Sequence, residues 1–161
     1  MDAAAAFFEL CRERLDADVP SLPGWTAADW QALFAHAQPV HLRAGEALIR
    51  RGEGGQALYF VISGALEVTA GSQRSESLGL LWRETPGSVI GEVSLFDGRP
   101  RSASVWATEP AELLRLDLAA LQAFTAQHPR LGCDLLFALG RVLAGRYRRG
   151  EERSRAVAWA G

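Results

Sequence analysis

Ile90-Gly-Glu-Val-Ser-Leu-Phe-Asp-Gly-Arg-Pro-Arg-Ser-Ala-Ser-Val105 concentrates the chemistry of this chain in one short stretch. Gly91-Glu92 opens an apolar run long enough for one helical turn. Asp97-Gly-Arg-Pro100 reverses the chain, and Arg101 leads into a strand. A helical turn with free N–H groups, set against an arginine and small hydroxyl residues, is the outline of an anion site. Glu92 does not suit a bare phosphate, because a carboxylate repels anions. It does accept hydrogen bonds from hydroxyls, so the implied ligand carries both groups, as a sugar phosphate does.

Outward from this stretch, residues 38 to 116 read as short strands cut by glycine turns. The candidate strands are Val40–Leu42, Ala47–Ile49, Leu58–Ile62, Ala65–Val68, Leu78–Trp82, Ser102–Ala107 and Ala111–Leu116. Turns fall at Ala44-Gly45, Arg51 to Gly55, Ser63-Gly64, Ala70 to Ser72 and Thr85 to Gly87. Many short strands at this spacing predict a sandwich or barrel. On the N-terminal side, Phe7, Leu10, Cys11 and Leu15 recur at helical spacing from Asp2 to about Asp18. Thr26 and Asp29 then form a capping box ahead of the Trp30, Leu33, Phe34 stripe. On the C-terminal side, Asp117 caps a helix over Leu118–Gln127, and His128-Pro129 breaks it. A last helix runs from Leu131 to about Arg149. The expected fold is α+β: an antiparallel, jelly-roll-like β-roll (38–116) between N-terminal helices (1–37) and two C-terminal helices (117–161), one domain overall.

The cassette at 90–105 resembles the phosphate-binding segment of the cyclic nucleotide-binding domain family. That family includes the catabolite activator protein, kinase regulatory subunits and cyclic-nucleotide-gated channels. Gly91-Glu92, Leu95 and Arg101-Ser-Ala-Ser-Val105 match its pattern, with Ile90 in place of phenylalanine. The upstream glycine turn and buried strand are present as Arg51 to Gly64, leading into Leu66-Glu-Val68. The resemblance, over about residues 38–149, implies a sensor that binds cyclic AMP or cyclic GMP, with cyclic AMP favoured on family frequency. It implies a phosphate site of Arg101 with Ser102 and Ala103, and a ribose site of Glu92 and Gly91. Val93 and Ser94 are further ligand-binding candidates of the segment, and Ser104 is expected near the base. The last helix then serves as a lid, with Arg141, Val142, Leu143, Arg146 and Tyr147 as candidates near the purine.

The remaining features narrow the function. The 161 residues carry a net charge of −2, so the chain as a whole does not read as a polyanion binder. All 17 basic residues are arginine and asparagine is absent, which reads as the bias of a GC-rich bacterial genome. No apolar run approaches the roughly 20 residues of a membrane span, and Asp2 sits where a signal peptide carries bases. A cytoplasmic protein is expected. The two cysteines and three histidines lack metal-ligand spacing. With no metal and no general base for attack on phosphorus, the site reads as binding, with no catalytic residue and no cofactor beyond the nucleotide ligand.

Two other readings stand beside the sensor. One is a truncated DNA-binding regulator of the catabolite-activator type, which needs a helix-turn-helix after the long helix. With the chain ending at Gly161, no nucleic-acid partner is expected. The other is a ligand-free structural or interaction domain, in which Glu92 and Arg101 form a simple salt bridge. The expected partners are a cyclic nucleotide and an effector protein or a second copy of the chain.

Overall fold

The computed structural model describes residues 2–14, 16–70 and 80–159. Leu15, the Gly71-Ser72 turn and the start of the expected strand at Leu78 lie outside the described residues. The elements run α1 (Ala3–Glu13), α2 (Ala27–Phe34), β1 (Gln38–Leu42), β2 (Ala47–Ile49), β3 (Ala57–Ser63) and β4 (Leu66–Thr69). They continue as β5 (Leu80–Glu84), β6 (Val89–Ile90), α3 (Glu92–Asp97), β7 (Ser104–Ala107), β8 (Ala111–Asp117), α4 (Leu118–Gln127) and α5 (Pro129–Trp159). Two four-stranded sheets form, in the orders β1-β8-β3-β6 and β2-β7-β4-β5, with every pairing antiparallel.

Strand β3 explains the layering. Its run Leu58-Tyr-Phe-Val61 is apolar on both faces, the pattern of a strand covered on both sides. Val61 points into the core between the sheets with Ile49, Val68, Ile90, Val105 and Leu113. Leu58 and Phe60 face the other way, into a second core built with the helices from Phe7, Trp30, Phe124, Leu135 and Leu139. Aromatic edges interlock there: Phe7 meets Trp30 at 4.8 Å and Phe60 at 5.5 Å between ring centroids. The N-terminal helices are therefore part of the body of the fold.

Local signals set the helix starts. Thr26 Oγ1 accepts from the Asp29 N–H, and Asp29 Oδ2 accepts from the Thr26 N–H at 2.8 Å. The Thr26 N–H, with the Thr26 hydroxyl, donates to the Asp29 carboxyl and holds it below its usual range. Asp117 accepts from the Ala120 N–H at 3.0 Å and starts α4. Several bounds differ from the sequence reading, three of them at α1, β7 and α5. Helix α1 ends at Glu13, because Asp16 Oδ1 accepts from the Asp18 N–H and turns the chain. Strand β7 begins at Ser104, because Arg101 bonds instead to the turn after β2, its N–H to Glu53 O at 2.8 Å and its O from Gly52 N–H at 2.9 Å. Helix α5 continues to Trp159, since its Arg, Glu and Ala residues are strong helix formers.

Candidate functional site

Gly91 is the corner on which the site is built. Strand β6 pairs with β3, Ile90 opposite Tyr59, and Gly91 then turns the chain into α3 at φ 93°. A side chain there has no room: a Cβ would lie 2.4 Å from Ala57 O and 2.7 Å from Arg101 Nη1. Gly98, at φ 67°, ends α3 with its N–H on Ser94 O. The short reversal that follows, with Arg99 N–H on Asp97 Oδ1, brings Arg101 back beside Gly91.

Arg101 is 7% exposed, and its guanidinium donates to Ala57 O and Gly91 O at 3.1–3.3 Å. Burial pulls its pKa down. Among the described residues, no carboxylate forms an ion pair with it. The Glu92–Arg101 salt bridge supposed by the alternative, ligand-free reading is therefore absent among the described residues, and Glu92 pairs with Arg146 instead. Arg146 Nη1 donates to Glu92 Oε1 at 2.7 Å, Nη2 to Glu84 Oε1 at 2.5 Å and to Val89 O at 2.8 Å, and Nε to Asp18 Oδ1 at 2.9 Å. Burial opposes the Arg146 charge, but the Glu92 and Glu84 carboxylates outweigh it and raise the pKa further. Glu84 is wholly buried, and burial pushes its carboxyl up to about 7 against the pull of Arg146.

These groups enclose a cavity of about 260 Å³. From the cassette, Gly91, Glu92, Val93, Ser94, Arg101, Ser102 and Ala103 line it. From α5, Leu143, Arg146 and Tyr147 close one side. The cavity thus carries a buried cation with no ion-pair partner among the described residues, a carboxylate already shared with a second cation, and an apolar remainder from Ile49, Val68 and Val105. That combination can take a ligand with one anionic group, a hydroxyl and a flat apolar body.

Three expected site residues fall elsewhere. Ser104 is fully buried in β7, and its Oγ accepts from the Arg51 N–H at 3.0 Å instead of facing the cavity. Val142 packs in the core under the helices. Arg141 lies on another face of α5, in a shallow surface groove with Leu136 and Phe137. Sequence reasoning missed Trp82 and Glu84 on β5, and Asp18. The available signal was Glu84 itself, an acid two residues beyond Trp82 in a strand that alternates toward the core. Among the described residues, no cluster of three His, Cys, Asp or Glu side chains is placed to hold a metal, and no helix is long and apolar enough to cross a membrane.

A family model for the cyclic nucleotide-binding domain matches residues 39–128, more than half of the chain. The chain belongs to the cyclic nucleotide-binding domain family. A CRP-like cAMP-activated global transcriptional regulator of Mycobacterium tuberculosis is 33% identical over 118 residues, 73% of this chain and 50% of that protein. The chain therefore spans half the length of that relative. Among solved structures, a cyclic nucleotide-binding domain from Methylobacillus flagellatus superposes with a TM-score of 0.76 at 27% identity, covering 94% of this chain and 83% of that one. The catabolite activator protein of Thermus thermophilus gives 0.70 at 28% identity, over 84% and 62% of the two chains. The α+β β-roll with flanking helices is thus the cyclic nucleotide-binding fold.

Proposed function

We propose that this chain is a sensor that binds a cyclic purine mononucleotide, cyclic AMP before cyclic GMP, and signals through α5. The observation that carries the reading is Arg101, a buried guanidinium with no carboxylate partner among the described residues, in the same cavity as Glu92. A singly charged cyclic phosphate matches that guanidinium fork, with the Ser102 and Ala103 segment beside it. Glu92 accepts from the ribose 2′-hydroxyl, and Gly91 lets the sugar approach the backbone. Val93 and Ser94 complete the sugar side, and the purine lies against Leu143, Arg146 and Tyr147 of the lid. Ligand and lid select one another: a nucleotide that touches both the cassette and α5 favours the docked position of the helix. The reaction class is binding alone, without catalysis. Cyclic AMP is favoured because the Mycobacterium tuberculosis relative is described as activated by it.

Isothermal titration with cyclic AMP and cyclic GMP tests this, beside Arg101→Ala. Micromolar or tighter binding, about −8 kcal/mol, weakened roughly 30-fold or more by the substitution, supports the sensor. A folded protein that binds neither nucleotide overturns it in favour of a structural domain of the same fold. A second reading comes from the half-length match to a transcriptional regulator: the chain is the sensor part of such a regulator. The longer protein would then bind duplex DNA with an affinity falling steeply as salt rises.

A further inference from the structure

Tyr59 stands on β3 opposite Ile90 of β6 and Arg115 of β8. It is partly buried and packs against the core between the sheets. Arg101 lines the cavity and Tyr59 does not. The Arg101 guanidinium lies over the Tyr59 ring, 5.8 Å from its centroid. Of the five N–H groups an arginine carries, Nη1 donates to Ala57 O and Gly91 O, and Nη2 donates once, to Ala57 O. Nε–H and the outer Nη2–H are left, side by side along one edge of the guanidinium plane, and no described residue accepts from them. Burial works against the Arg101 charge, and so does Arg115, itself paired with Asp117 at 3.1 Å. The Glu92 and Glu53 carboxylates favour the charge. Glu92 is held by Arg146, and Glu53 lies in the turn after β2, its carbonyl accepting from the Arg101 N–H.

We propose that Tyr59 is a positioning residue of the phosphate site: its ring carries the Arg101 guanidinium by a cation–π contact and leaves the Nε–H, Nη2–H edge open to an incoming phosphate. The inference rests on the reading of the cavity as a cyclic nucleotide site. An aromatic face suits this task where a carboxylate does not. A carboxylate would take the donor edge and cancel the charge before the ligand arrived. The ring attracts the cation through its quadrupole, from a direction out of the plane in which the N–H groups donate. A phosphate can therefore take the edge while the ring holds the face. Without the ring, the guanidinium is free to turn toward Glu53, and binding must draw it back. Tyr59 thus acts on the ligand only through Arg101.

The test varies the ring and keeps the strand. Tyr59→Phe, Tyr59→pentafluorophenylalanine and Tyr59→Leu are titrated beside the wild-type chain with the better bound of cyclic AMP and cyclic GMP, each after thermal melting shows it folded. Tyr59→Phe keeps the attractive ring face, so its affinity is expected within about twofold of wild type. The fluorinated ring has nearly the shape of phenylalanine with its quadrupole reversed. It is expected to bind the nucleotide about three- to thirtyfold more weakly than Tyr59→Phe, the worth of one largely desolvated cation–π contact. Tyr59→Leu, with no ring, shows a loss in the same range. A packing role alone would not separate phenylalanine from its fluorinated counterpart, so that pair decides even if the leucine variant fails to fold. Equal affinity of the two overturns this inference alone. So does a loss in Tyr59→Phe as large as that in Tyr59→Leu, which would assign the effect to the hydroxyl. A folded wild-type chain that binds neither nucleotide overturns the nucleotide reading, and this inference with it.

Discussion

Arg146 and Glu92, 54 residues apart in sequence, share a hydrogen bond of 2.7 Å that ties the last helix to the first residue of α3. The same guanidinium reaches Glu84 on β5 and Asp18 in the turn after α1. Asp18 also accepts from Arg149 at 2.7 Å, one turn further along α5. One buried cation thus joins the N-terminal segment, the β-roll, α3 and α5. A ligand that engaged Glu92 would act on the bond that holds α5 against α3.

Arg146→Met is expected to destabilise the fold at pH 8 by about 3–5 kcal/mol, because it strands buried carboxylates without their cation. Chemical denaturation at pH 8 and pH 5.5 measures it. The loss is smaller at pH 5.5, where Glu84 can take a proton. The double variant Arg146→Met, Glu84→Leu recovers part of the loss, since an apolar pair of similar volume replaces a broken ionic one. Equal destabilisation at both pH values, with no recovery in the double variant, would show that the network does not govern this effect.

The cassette was legible in sequence because its corner needs particular residue types at fixed separation: a glycine at φ 93°, an acid beside it and an arginine ten residues on. The helix starts were legible for the same local reason, through Thr26, Asp29 and Asp117. The lid was half legible. Leu143, Arg146 and Tyr147 share one helix face at spacings of three and four, whereas Arg141 is rotated off it and Val142 turns into the core. The meeting of Asp18 and Glu84 on Arg146 was not legible. They lie 128 and 62 residues from Arg146 in sequence, and the folded topology alone brings them together.

Gly91→Ala tests the corner. Its Cβ would meet Ala57 O at 2.4 Å and Arg101 Nη1 at 2.7 Å, on a backbone that disfavours side chains. The backbone strain alone costs of order 1–3 kcal/mol, and displacement of Arg101 adds a loss of cyclic nucleotide binding. Thermal melting and titration should both register it. Gly54→Ala serves as the control, since nothing lies within 4 Å of a Cβ there, and it should change neither.

Glu92→Gln separates the sugar role from the lid role. An amide can still accept from a ribose hydroxyl but no longer holds Arg146 as a charge. Cyclic AMP binding is expected to weaken several-fold, while Glu92→Ala weakens it further and leaves a 2′-deoxy analogue almost unaffected relative to wild type. Titration of both nucleotides against both variants reads this out. Equal losses for cyclic AMP and its 2′-deoxy analogue in Glu92→Ala would remove the hydroxyl contact from the account.

The pH dependence of stability follows from Glu84. Burial raises its folded pKa to about 7 from an ordinary 4.5, so between those values the folded chain holds a proton that the unfolded chain has released. Stability from this group is therefore full below about pH 4.5, declines as pH rises through the interval, and levels off above about 7. Glu84→Gln cannot titrate and lacks that decline. Denaturation of the two proteins from pH 5 to pH 8 should show the wild type losing about 1–3 kcal/mol relative to the variant, at up to 1.36 kcal/mol for each pH unit. Parallel curves would mean that Glu84 keeps its charge throughout, with Arg146 outweighing burial.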